Sequence, residues 1–338
     1  MQTSSKHEMR RMPQSLHFLA RTDPKSRMMP TMMRRYTWVF LFAMGCGGTS
    51  PMTGDDVQPP IDAPMGMADA FVPPSGYTKL IGRTWSLAAG QTDIYKCVRI
   101  HVPTDMYITD IEAQAPIGTH HTVLSIASGQ AAGADGEQDC SVSTLGMQML
   151  YASGVGTSPL SFPTGVGVKI AAGTQIHLNL HLYNAGDEAL ANESAIWVKS
   201  QPTPTPMLAE MQFAGPLQFS VPPGPDKVVT GTCTINNSYQ MFALWPHMHK
   251  LAVHQKIELT RGTTTTVLHD MPYQFGEQKY WLQSPEIQVQ ANDKIKVTCT
   301  YNNTTGTTIG FGDSSDDEMC FGGMYRYPAS NSSLFCGF

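Results

Sequence analysis

The chain has 338 residues, 41% of them hydrophobic and only 14% charged, with a formal net charge of -5. That length accommodates two ordinary domains, and the apolar fraction is enough to build their cores. A mildly acidic chain offers no basic face for nucleic acid. Its seven cysteines include no C-x-x-C, which argues against a zinc ribbon or a thioredoxin-like motif.

Residues 1–46 read as an N-terminal extension and export signal. A start at Met28, Met29, Met32 or Met33 would put Arg34 and Arg35 in a basic n-region. Tyr36 to Met44 is then the apolar h-region, too short to span a bilayer as a helix. The following Gly45-Cys46-Gly47-Gly48 resembles a bacterial lipoprotein signal, although Ala43 stands where Leu is usual. That resemblance implies lipidation at Cys46, with simple secretion as the alternative. Either route predicts an exported protein, in the cell envelope or secreted, touching a membrane only through a lipid anchor. Residues 47–76 are rich in Pro, Gly and Asp and bury too little apolar area to offset ordering, so a flexible tether is expected.

From Tyr77 onward, short apolar runs alternate with period two between Gly, Pro, Asn and Asp breaks. Examples are 95–102, 121–128, 173–184, 254–260 and 293–303. No amphipathic helix of three turns is evident. The pattern predicts an all-β chain of two consecutive antiparallel β-sandwich, jelly-roll-like domains. The run KSQPTPTP (199–206) marks the boundary, giving domains 77–202 and 203–338. A monomer is expected. The six cysteines of the body, an even number, permit three disulfides in an oxidising compartment.

Three histidine clusters stand out among 11 histidines. His120 and His121 are adjacent, and strand neighbours point to opposite faces. Both could reach one metal only if the backbone turns there, which entry after Gly118 allows. His177 and His181 share one face of a strand-like run, as do His247 and His249. Each cluster alone is more often incidental, and His101, His254 and His269 read as structural or surface residues. The three together, without carboxylate neighbours, suit copper, zinc, iron or nickel rather than calcium or magnesium. A methionine ligand would favour copper, because soft sulfur stabilises Cu(I).

The segment DSSDDEMC, ending in Met319-Cys320, resembles the methionine-ligand motif of the copper type II ascorbate-dependent monooxygenases, the family of peptidylglycine alpha-hydroxylating and dopamine beta-monooxygenases. His120-His121-Thr122, LNLHLYN (178–184) and PHMHKL (246–251) are similar to its other motifs, in the same order. The resemblance implies two domains facing across a cleft, with two copper ions per chain. His120, His121 and His181 would hold the first, with His177 the alternative third ligand. His247, His249 and Met319 would hold the second and be catalytic. It also implies the bridges Cys97–Cys140, Cys233–Cys336 and Cys299–Cys320, the last anchoring the neighbour of Met319.

The implied reaction hydroxylates an activated C–H bond of a small-molecule substrate with O2 and ascorbate or a similar reductant. Trp245 stands where peptide-hydroxylating members carry an Arg for the substrate carboxylate. Peptidylglycine is therefore disfavoured, and an aromatic or apolar molecule suits Trp245 and Phe321 better. Two alternatives stay open. One is a non-catalytic copper-binding exported lipoprotein, and the other a surface binding module whose histidines are incidental.

Overall fold

The computed structural model describes residues 71–127, 132–141, 146–154, 156–330 and 333–336. The expected signal, Cys46 and the tether up to residue 70 lie outside them. The chain divides into two units, Met1–Pro64 and Met65–Phe338, and all described residues belong to the second.

Those residues form strands and no helix. The alternating runs become β2 (Ile94–His101), β4 (Thr119–Ala127), β9 (Gln175–Leu182), β16 (Ala252–Arg261) and β19 (Lys294–Asn303). Alternation places one set of side chains in each core and the other outward. Strand β9 departs from that pattern, since every one of its residues is buried. It lies at the centre of its sheet, and Asn179, facing away from Leu178 and Leu180, lines a cavity.

Residues 78–208 make two sheets. One runs β5 (Gly136–Asp139), β2, β9, β4, β6 (Gln148–Gly154). The other runs β1 (Thr78–Leu87), β10 (Leu190–Gln201), β3 (Met106–Gln114), β8 (Val166–Ile170), β11 (Met207–Leu208), with β7 (Leu160–Ser161) on β3. Successive strands β1 to β4 alternate between the sheets, the interleaving of a jelly roll. All strand pairs among the described residues are antiparallel except β8 with β11.

Residues 210–327 make a sheet β12 (Glu210–Ala214), β21 (Cys320–Tyr327), β15 (Tyr239–Met248), β18 (Trp281–Val289). Facing it is the order β14 (Gly224–Thr234), β19, β16, β17 (Thr264–Pro272). A short pair, β13 (Ser220–Val221) with β20 (Ile309–Gly310), completes this half. Disulfides join Cys97 to Cys140, Cys233 to Cys336 and Cys299 to Cys320, the pairing the resemblance implies. Each removes chain entropy from the unfolded state.

The halves touch over part of their facing surfaces. One hydrophobic cluster joins Leu150, Tyr151 and Ala152 to Phe213, Phe242, Trp245, Tyr280 and Tyr325. Apolar burial therefore holds the halves together. Beside that contact, a cavity of about 410 Å³ is lined from both halves.

Candidate metal centres

Gly118 precedes β4 with φ +97, and a side chain there would meet the Trp85 ring. The ladder then slips, since Thr119 pairs with Leu182 but His121 with His181. Two residues of β4 thus oppose one step of β9, a β-bulge at His120 that bends the strand. The bulge is the backbone turn that adjacent histidines require. His120, His121 and His181 come together, one nitrogen of each within 4.8 Å of the others.

Hydrogen bonds show which nitrogens converge. Nδ1 of His120 and Nδ1 of His121 are 3.3 Å apart. Nε2 of His181 lies 2.9 Å from Oδ1 of Asp93, leaving its buried Nδ1 without a protein partner. Tyr95 stacks flat on the His181 ring at 4.5 Å. Asp93 adopts the left-handed φ of 54°, a conformation tolerated by Asp but costly for most residues. Burial pushes the His120 imidazole down to about 4 and His121 well below the usual histidine range. It also lowers His181, against the opposing pull of Asp93. Neutral rings with free lone pairs result.

His247 lies near the end of β15 and His249 just past it, with ring centroids 5.2 Å apart and planes nearly perpendicular. The β15–β21 ladder pairs His247 with Phe321 and Met248 with Cys320. That register carries Met319 to the level of His249, and all three side chains line the shared cavity. Here Nδ1 is the occupied nitrogen. His247 Nδ1 is 2.9 Å from Gln278 Oε1, and His249 Nδ1 is 3.1 Å from the Asp317 carbonyl oxygen. Nε2 of each ring is left for a metal. Burial lowers His247 to about 3 and His249 to about 4.

Sequence reasoning did not single out several supporting residues. Glu318 is fully buried beside Met319. Its carboxylate accepts the backbone N–H of His249 at 3.0 Å and of Leu251 at 2.7 Å. The Tyr301 hydroxyl donates to the Met319 carbonyl at 2.7 Å. Glu318 gave no signal of its own, because it closes the acidic run Asp313-Ser314-Ser315-Asp316-Asp317. Asp93 and Gln278 carried none. His177 stays apart from the triad. His101 and His254 pair with Asp135 and Asp270, and His269 packs on Trp281.

Both sets fit copper by donor chemistry. One offers three imidazole nitrogens with a buried Nδ1 that the protein leaves unpaired, and the other two imidazoles with a neighbouring thioether. Carboxylate-seeking ions have no ligand set here. The lining of the cavity is largely apolar, with Phe213, Trp245, Phe321 and Phe335 prominent, and holds no Lys or Arg among the described residues. Trp245 stacks on His247 at 4.7 Å.

Comparison with known proteins meets this geometry in the C-terminal half. Residues 208–337 match the family described as copper type II ascorbate-dependent monooxygenase, C-terminal domain. The human DBH-like monooxygenase protein 2 is 26% identical over 247 residues, 65% of this chain and 49% of the relative. The chain thus spans about half the length of that relative. Among solved structures, the major capsid protein P2 of bacteriophage PM2 aligns over 75% of this chain and 100% of its own. Its TM-score of 0.30 and 10% identity carry no argument.

Proposed function

With residues 208–337 taken as a copper type II ascorbate-dependent monooxygenase C-terminal domain, we propose that this chain hydroxylates an activated C–H bond of a small organic molecule with O2. In this reading His120, His121 and His181 hold one copper ion. His247, His249 and Met319 hold a second. Copper bound in these sites would supply one-electron redox chemistry, fed by ascorbate or a similar donor, and the activation of O2.

The protein's own residues do the remainder. Buried, neutral imidazoles present lone pairs without first losing a proton. Asp93 and Gln278 hold the far nitrogen of His181 and His247, which fixes ring orientation. The Met319 thioether favours the reduced metal. The aromatic wall of Phe213, Trp245, Phe321 and Phe335 excludes water and orients substrate. With no cationic side chain on that wall, an apolar or aromatic substrate suits it better than a peptide carboxylate. Three disulfides suit an exported protein.

The observation that carries this reading is the opening of His121, His247, His249 and Met319 onto one cavity. Copper analysis of loaded protein, with X-ray absorption on the Cu(I) form, tests it. Two coppers per chain are expected, with a sulfur scatterer that disappears in Met319→Ile. One copper or none, or sulfur scattering that survives the substitution, overturns it. Two coppers without ascorbate-dependent O2 consumption across a substrate panel would identify a copper-binding protein instead.

A further inference from the structure

The connection between β17 and β18, residues 273–280, threads between the two histidine sets and grips each half in turn. The Tyr273 hydroxyl donates to the Met248 carbonyl at 2.7 Å and accepts the Met248 N–H at 3.0 Å, beside His247 and His249. The Phe275 ring then lies 4.3 Å from that of His120 and 6.1 Å from that of His249. Gln278 follows, 1% exposed, with its side chain on His247 Nδ1. Its backbone carbonyl, however, accepts the Thr157 hydroxyl of the N-terminal half. Tyr280 finishes the segment. Its hydroxyl donates to the Ala152 carbonyl at 2.9 Å and accepts the Ala152 N–H at 3.2 Å.

The N-terminal half is shaped to receive this segment. Gly154 ends β6 opposite His121. A Cβ there would stand 2.9 Å from Gln278 Cβ and 3.1 Å from Cγ. Nothing larger than glycine fits without moving Gln278. Thr157 holds both sides, since its hydroxyl also accepts the Gly154 N–H at 2.8 Å.

We infer that residues 273–280 are an inter-half strap, and that Gln278, clamped from the N-terminal half by Gly154 and Thr157, is the positioning residue for His247. The consequence for His247 rests on the metal reading above. The ligand geometry of the His247–His249–Met319 set then depends on docking of a half that contributes no ligand to it. A released strap frees the Gln278 side chain, unlocks the His247 ring and opens the gap that Phe275 fills.

The test uses Gly154→Ala and Thr157→Val, neither of which removes a group that touches His247, His249 or Met319. Thr157→Val is isosteric and serves if the alanine clash impairs folding. Hydrogen exchange on the metal-free protein should accelerate at 274–280 by about tenfold or more in either variant, as loss of docking hydrogen bonds requires. In copper-loaded, reduced protein, the stretching frequency of CO bound at the His247 set should move in the same direction as in Gln278→Leu. Unchanged exchange in both variants overturns the strap, whatever the metal content. Faster exchange with an unmoved CO frequency overturns the positioning role of Gln278. A wild-type protein that takes up no copper at His247 overturns the metal reading and the positioning role with it, while the exchange result still decides the strap.

Discussion

The two histidine sets reach similar ends by opposite local means. The N-terminal set is made by a defect, a bulge at His120 that turns neighbouring side chains to one side. On His181 the nitrogen left unpaired is Nδ1, because Asp93 occupies Nε2. The C-terminal set needs no such bulge, since His247 near the end of β15 and His249 one residue past it both reach the cavity. There Nδ1 is occupied, by Gln278 and the Asp317 carbonyl. The first centre closes on three nitrogens and lies beside Asp93 and Tyr95. The second lines the aromatic cavity together with Met319. A bulge fixes a compact triad within one sheet, whereas the strand end leaves its pair dependent on Glu318, Met319 and the 273–280 segment to complete it.

Substitutions should separate the two. The largest effect is expected from Met319→Ile, which should abolish turnover while the three-histidine set keeps its copper, as metal analysis would show. Next, His181→Ala should remove copper from the N-terminal set and leave the sulfur-containing site loaded. Loss of both metals together would mean the sets are not independent. Asp93→Gly preserves the left-handed backbone but frees His181 Nε2, so copper affinity at the triad should fall roughly 10- to 100-fold by competition titration. The C-terminal set should be unaffected.

Glu318→Ala strips the partner from two amides of the 249–251 turn. Metal-free stability should drop by roughly 3 kcal/mol in denaturant unfolding, with no comparable loss in a surface control such as Lys250→Ala. The smallest effect concerns pH. Burial holds His177 and His269 down at about 4, below the unfolded value of about 6.5. The unfolded chain therefore binds more protons between those values, and metal-free stability is present above about 6.5 and lost as pH falls toward 4. The double variant His177→Gln and His269→Gln should make that slope shallower in pH-dependent unfolding, the remainder coming from the buried histidines of the two sets, which burial holds down in the same direction.

Much of this was legible in the residues. Strand alternation outlined β2, β4, β9, β16 and β19 to within a few residues, because period-two patterning is local. The same locality made His247-x-His249 readable as one face. His120 was harder, since adjacency on a strand argues against a shared ligand role, and only the Gly118 entry hinted at a turn. Asp93 lies 88 residues from His181 and Gln278 lies 31 from His247, and an Asp or Gln in a loop gives no periodic signal. The expectation of two domains facing across a cleft said nothing of the aromatic cluster that joins them, whose members sit on strands and loops of both halves.

The sequence by itself determined an all-β chain, its cysteine complement, and the donor types that suit a soft redox metal. Those follow from side-chain chemistry and short-range periodicity. Tertiary structure alone decided which ring nitrogens stay free, how closely the two sets approach, and that a segment of one half braces a histidine of its own half against the other. Each of these depends on pairings between residues distant in the chain, where burial leaves a polar group only the partners that the fold brings to it.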